Sequence, residues 1–206
     1  YLIGDRVSGQ CVIVDPAYAV SELIDIARND GMTVAGVLAT HYHPDHVGGS
    51  MMGFRIEGIS ELLQLIDVPI HVQRLEAPWV TQTTGVTVDH LIQHDSGDIV
   101  QIGSIRIAMV HTPGHTPGSQ CFYIRNSLVA GDTLFLDGCG RTDLPGSDAG
   151  EMYDSLQLLA SLPDGTIVYP GHRYSEPVSE SLGRVKSTNY VFKPPTKQAW
   201  LEQFAR

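Results

Sequence analysis

His41, His43, Asp45 and His46 fall within six residues of one another, in the run Thr40-His41-Tyr42-His43-Pro44-Asp45-His46-Val47-Gly48-Gly49. Neutral imidazole and ionised carboxylate are the ligands that a borderline cation such as zinc prefers. The run follows Val34 to Thr40, an apolar stretch that reads as a buried strand. A strand ending in this pattern places a cluster of ligands on a loop at a sheet edge. A tight loop can aim neighbouring side chains at one centre, which strand alternation does not allow.

Three later segments repeat the arrangement of apolar strand followed by ligand chemistry. Ile105 to Val110 leads into His111-Thr112-Pro113-Gly114-His115. Leu128 to Ala130 leads into Gly131-Asp132-Thr133-Leu134-Phe135, and Ile167 to Tyr169 into Pro170-Gly171-His172. Five of the nine histidines are candidate ligands in these loops, so ligation accounts for most of the histidine content. Loops at one sheet edge can converge on a single site. The set His41, His43, Asp45, His46, His115, Asp132 and His172 is too large for one tetrahedral ion.

It suits two divalent cations, zinc first, with iron or manganese as alternatives. His41, His43 and His115 would hold one, and Asp45, His46 and His172 the other. Asp132 would bridge them, with a water or hydroxide as the second bridge. Two cations on one water lower its pKa and give a nucleophile near neutral pH. Asp45 is then also a candidate for orienting that water.

The elements that must position these residues are legible from periodicity. Tyr1 to Gly4 and Gln10 to Val14 read as strands around a turn at Asp5 to Gly9, and Asp15-Pro16 ends the second. Val20, Leu23, Ile24 and Ala27 give Ala19 to Asn29 a helical face. Ser50 to Gly58, with Met51, Met52, Phe54 and Ile56, reads as an apolar loop that packs as a lid or lines a substrate pocket. A helix at Gly58 to Ile66, a strand at Val68 to Val72 and a helical turn at Arg74 to Val80 follow. Strands are expected at Val86 to Gln93, Asp98 to Ile102, Ser104 to Val110, Gln120 to Ile124, Leu128 to Ala130 and Ile167 to Tyr169. Helices are expected at Asp148 to Leu162, Ser175 to Lys186 and Thr196 to Ala205. This alternation is that of a layered α/β protein with helices outside its sheets. A length of 206 residues fits a single domain, with 175–206 as a helical tail.

Composition removes several function classes. The net charge of −10 disfavours nucleic acid as a partner. No run of about 18 apolar residues marks a membrane span. Cys11, Cys121 and Cys139 form an odd set without a Cys-x-x-Cys spacing, which points to a reducing, cytoplasmic setting rather than a disulfide framework. No signal peptide is visible, and Tyr1 opens inside a strand-like run, so the natural chain is open to extension there. His71, His90 and His94 read as structural histidines. His111 is a candidate for orienting a ligand imidazole, and Cys139 for a redox-sensitive thiol.

Taken together, Thr-His-Tyr-His-Pro-Asp-His, Thr-Pro-Gly-His-Thr-Pro-Gly-Ser, Gly-Asp-Thr-Leu-Phe and Pro-Gly-His resemble the motifs of the metallo-β-lactamase superfamily, in order from Tyr1 to about Tyr174. The resemblance implies a four-layer αββα sandwich with the metals at one edge between two sheets. Gly131 to Phe135, Gly138-Cys139-Gly140-Arg141, Met152-Tyr153 and Gly171-His172-Arg173-Tyr174 are most similar to the glyoxalase II-like branch, which holds hydroxyacylglutathione hydrolases and persulfide dioxygenases. That resemblance implies glutathione contacts at Arg141 and Tyr174, the guanidinium taking a carboxylate by bidentate hydrogen bonds. The alternative for Arg141 is a loop brace to Asp143 or Asp148. Asn189-Tyr190-Val191-Phe192-Lys193 resembles an Asn-Pro-Phe-x-Arg segment of the hydrolases, with Tyr190 in place of proline. It makes Lys193 a third substrate contact.

The expected activity is hydrolysis of a thioester between a small acyl group and glutathione or a similar thiol, by a metal-bound hydroxide. The partner is then a small thiol-derived molecule, and a homodimer is admitted. The alternative is an iron-dependent persulfide dioxygenase, toward which Arg141-Thr142-Asp143 leans. A non-catalytic relative would have lost ligands, and none is lost.

Overall fold

The structure, a computed structural model, describes residues 1–205. The chain divides into two compact units, Tyr1–Ile107 and the remainder from Ala108 onward.

The first unit is built on a five-stranded sheet. β1 (Leu2–Asp5) and β2 (Gln10–Val14) form an antiparallel hairpin with Leu2 opposite Ile13. β2, β3 (Thr33–Leu38), β6 (Ile70–Gln73) and β7 (Leu91–His94) then run parallel, in the order β1-β2-β3-β6-β7. Parallel neighbours need crossovers. α1 (Val20–Asn29) joins β2 to β3, α3 (Ile59–Leu65) precedes β6, and α4 (Ala77–Thr84) precedes β7. Val20, Ile24 and Ala27 of α1 are buried at the four- and three-residue spacing of one helix face. They join Ile13, Val37, Ile59, Leu62, Ile70 and Val72 in one apolar core.

Two parts of this unit differ from the sequence expectation. The ligand run is not loop throughout, because Pro44–Val47 forms a helical turn, α2, with Pro44 opening it. Proline is preset for a first helical position, where its missing N–H costs nothing. Ser50 to Gly58 is a hairpin rather than a loop, with β4 (Gly49–Met51) paired to β5 (Phe54–Ile56). Met52 and Gly53 both take positive φ, 52° and 83°, as a two-residue hairpin turn requires. Methionine is an unusual residue there, which is why the turn is silent in the sequence.

Smaller shifts have similar causes. α4 begins at Ala77, with Pro78 in its first two positions, and runs on to Thr84. Val88–His90 is a 3-10 turn, so of the expected strand only the residues from Leu91 onward are extended, in β7. Short apolar runs do not separate these states by period alone.

The second unit carries the end of β9 (Ile105–His111), then β10 (Gln120–Ile124), β11 (Ser127–Gly131), β12 (Ile167–Pro170) and β13 (Glu180–Ser181). Its sheet order is β13-β12-β11-β10-β9, and β9 pairs on its other edge with β8 (Ile99–Ile102). β11 and β12 are parallel, joined through α5 (Ala149–Ala160). Asp148 caps α5 by accepting the Glu151 N–H at 2.8 Å. α6 (Leu182–Thr188) starts later than the expected helix, because Pro177 fixes the preceding backbone outside a helix and β13 intervenes. α7 (Lys197–Phe204) is capped by Thr196. Met152, Leu156 and Leu159 of α5 pack with Leu128, Val168, Val185 and the fully buried Trp200.

Candidate metal centre

In the first unit β3 delivers Thr40 and His41, and α2 follows at once. The donor atoms of His41 and His43, of His41 and His46, and of Asp45 and His46 lie within 4.8 Å of one another. His41 Nε2 and His43 Nδ1 are 3.0 Å apart. Two ligands on a tetrahedral zinc ion are about 3.3 Å apart, from bond lengths of about 2.0–2.1 Å. The pair therefore fits one cation with a small outward shift. His41 and His46 are buried, while Asp45 is partly open.

Asp15 organises this set. Its carboxylate accepts the Thr40 N–H at 2.8 Å, the Thr40 hydroxyl at 2.6 Å and the His46 Nδ1–H at 2.8 Å. Since the Thr40 hydroxyl proton goes to Asp15, its oxygen accepts Nδ1–H of His41 at 3.0 Å. Both rings are thereby fixed as Nδ1–H tautomers with Nε2 turned to the ligand side, as metal-ligating histidines require. Asp15 has φ 51°, a left-handed conformation that aspartate tolerates better than most residues. In the sequence, Asp15-Pro16 reads only as a strand terminator. The available signal was its place, a carboxylate at the end of an apolar strand, the same place Asp132 holds.

The second unit brings together His115, Asp132 and His172. Asp132 Oδ2 lies 3.8 Å from His115 Nε2 and 3.4 Å from His172 Nε2. His115 Nδ1–H donates to the carbonyl of Arg141 at 2.8 Å, which again presents Nε2. Glycine is required at two neighbours. A Cβ at Gly140 would come within 2.1 Å of the Asp132 carbonyl and 2.9 Å of the His115 ring. A Cβ at Gly171 would sit 2.4 Å from Asp132 Oδ1. Clustered imidazole nitrogens and carboxylate oxygens with fixed tautomers and glycine-cleared backbone fit divalent cations in donor chemistry.

The expected substrate contacts are placed less uniformly. Arg141 is exposed, and its guanidinium makes two 2.8 Å hydrogen bonds to Asp143, so in this structure it braces its own loop. Its backbone, through the carbonyl on His115, is the part that touches the ligand set. Tyr174 is 69% exposed and stacks on His172 with ring centres 5.2 Å apart. Phe135 meets Tyr174 edge-on at 5.0 Å. Lys193 donates to the carbonyl of Ser187.

The other histidines and the cysteines are placed as follows. His111 Nε2–H donates to the Pro117 carbonyl at 2.9 Å and holds the turn that carries His115. His71 and His94 pair with each other at 2.8 Å, and His90 is exposed. All three cysteines are free. Burial pushes the Cys139 thiol up to about 12, so it is not a thiolate at neutral pH. Among the described residues no helix is long and apolar enough to cross a membrane.

Comparison with known proteins agrees with this chemistry. The model of the metallo-β-lactamase superfamily matches residues 1–172. A hydroxyacylglutathione hydrolase of Salmonella paratyphi A is 38% identical over 169 residues, covering 81% of this chain. The aligned part is 59% of that protein, so the chain spans less than two thirds of its length. A probable polyketide biosynthesis zinc-dependent hydrolase of Bacillus subtilis, PksB, is 28% identical over 98% of this chain and 84% of its own. The crystal structure of ETHE1 from Myxococcus xanthus superposes with a TM-score of 0.84 at 27% identity, covering 100% of this chain and 84% of that one. The chain belongs to the metallo-β-lactamase superfamily, in its glyoxalase II-like branch, and has the α/β fold of that superfamily.

Proposed function

We propose that this protein is a dinuclear metal-dependent hydrolase that cleaves a thioester between a small acyl group and glutathione or a similar thiol. The observation that carries the reading is the complete ligand complement. His41, His43, Asp45 and His46 in one unit and His115, Asp132 and His172 in the other retain every position of the pattern. His41, His46 and His115 are also held in the ligating tautomer. In this reading His41, His43 and His115 hold one ion, Asp45, His46 and His172 hold the other, and Asp132 is shared. The two ions, when bound, supply an acidified water and polarise the acyl carbonyl.

The chain's own residues divide the remaining work. Asp15 and the Arg141 carbonyl keep protons on Nδ1, so the Nε2 lone pairs are available and the rings do not rotate. Asp45, partly open beside His46, orients the attacking water by accepting one of its hydrogens. Tyr174, exposed and stacked on His172, offers a flat apolar face to the thiol portion of the substrate. Arg141 offers a guanidinium to a substrate carboxylate by exchanging Asp143 for it, and Lys193 is a further cation near this end of the chain.

A second reading is oxygenation of a thiol persulfide with a single iron. It is favoured by Arg141-Thr142-Asp143, whose ion pair is formed in the structure. One paired assay separates the two. Thiol release from acyl-glutathione is followed beside oxygen uptake with glutathione persulfide. The hydrolase reading predicts thiol release without oxygen uptake. Oxygen uptake with inert thioesters would replace it by the second.

A further inference from the structure

Glu76 carries a carboxylate that is only 1% exposed, at the residue preceding α4. Buried carboxylates are retained where a strong hydrogen-bond donor or charge answers them. Glu76 Oε1 accepts the backbone N–H of Tyr42 at 2.7 Å. Tyr42 is the residue between His41 and His43. Three residues after Glu76, Trp79 of α4 stacks on the Tyr42 ring with centres 5.0 Å apart and planes 21° from parallel. Tyr42 in turn meets the His43 ring edge-on at 4.7 Å. The turn that presents Glu76 is itself fixed, because the Glu76 N–H donates to the Gln73 carbonyl at 2.9 Å.

We propose that Glu76 is a positioning residue for the metal-ligating His-x-His pair. Its carboxylate and Trp79 clamp Tyr42 by backbone and ring, which fixes the peptide between His41 and His43 and holds their donor nitrogens side by side. The inference rests on the reading of His41 and His43 as metal ligands. Asp15 anchors the same run from the opposite end, at Thr40 and His46. His43 directly follows Tyr42, so the clamped Tyr42 peptide sets the position from which the His43 ring extends. On the Tyr42 N–H the clamp needs an acceptor at Oε1. Glutamine can supply that acceptor, and alanine or aspartate cannot reach.

The test is Zn²⁺ affinity of the full chain, by competition with a chromophoric chelator, with thermal melting in excess EDTA as a separate record of folding. Glu76→Ala should bind Zn²⁺ about 10–100-fold more weakly than wild type, the usual cost of removing a group that orients a ligand. Glu76→Gln should restore affinity to within a few-fold. Glu76→Asp, shorter by one methylene, takes the place of Glu76→Ala if that variant does not fold, with the same expected loss. Leu62→Ala, in the same core, should lower the melting temperature and leave Zn²⁺ affinity unchanged. Wild-type affinity in Glu76→Ala or Glu76→Asp overturns the inference. So does Glu76→Gln as weak as Glu76→Ala, or Leu62→Ala as weak in Zn²⁺ binding. His41→Ala separates the two levels. If it binds Zn²⁺ like wild type, the ligand assignment itself fails, whereas loss in His41→Ala beside no effect in Glu76→Ala removes the clamp alone.

Discussion

His46 and His115 each donate Nδ1–H to a protein oxygen, a carboxylate in one case and a backbone carbonyl in the other. That common device turns Nε2 of each ring outward, as the proposed ligand role requires. His71 and His94 pair with one another instead. Asp132 is the residue on which most of the assignment turns, because it is the only one proposed to serve both ions. Asp132→Ala should lower turnover by well over about 100-fold, more than the cost of losing a ligand's hydrogen-bond partner. It should also lower the bound metal measured by elemental analysis. Normal turnover with normal metal content in this variant would contradict the assignment. At this scale the sequence was most informative where ligand chemistry is rare and dense, as in His41 to His46. Asp15 and Glu76 escaped it because a single carboxylate beside an apolar run has many ordinary uses.

Each ligand loop leaves the C-terminal end of a strand: β3 before His41, β9 before His115, β11 before Asp132 and β12 before His172. The apolar runs announced those strands, and their ends announced the loops. The β4–β5 hairpin was not announced, since its turn is formed by Met52 and Gly53 and not by Asn-Gly or Asp-Gly.

Asn189, which is fully buried, ties the segment after α6 to the loop that follows β11. Its Oδ1 accepts from Gly138 and Val191 N–H groups at 2.8 and 3.1 Å, and its Nδ2 donates to the Phe135 and Gly138 carbonyls at 3.1 and 3.0 Å. Asn189→Ala leaves several of these groups buried without a partner and should cost about 2–4 kcal/mol. A melting temperature unchanged to within a degree would contradict this role. The β6 and β7 ends respond to acid. Burial first, and then the charge of His94, lower the His71 pKa from 6.5 to about 4. Asp98 lies 3.5 Å from His94 on its other side. His71 is therefore neutral in the folded chain between about pH 4 and 6.5, where the unfolded chain takes up a proton. Its contribution is fully present above pH 6.5 and is lost as pH falls toward 4, by at most about 3 kcal/mol. Urea midpoints of metal-free protein should fall over this window, and His71→Asn should flatten the fall. Parallel profiles for the two proteins would contradict the assignment.

At the scale of the whole chain, the α/β class, most element positions and the superfamily were legible because periodicity and four separated motifs agree in order. The division after Ile107 falls inside the continuous apolar strand β9, where no change of composition marks it. Substrate contacts were the least legible part. Arg141 engages Asp143 and Lys193 engages Ser187, so their roles depend on partners that the sequence does not rank. The central proposal is that His41, His43, Asp45, His46, His115, Asp132 and His172 hold two cations. Metal content per chain, measured on protein purified without added metal, addresses it most directly. The account predicts two divalent ions per chain, both lost together or weakened in Asp132→Ala. A single iron per chain, with the second set of ligands empty at saturating metal, would contradict it.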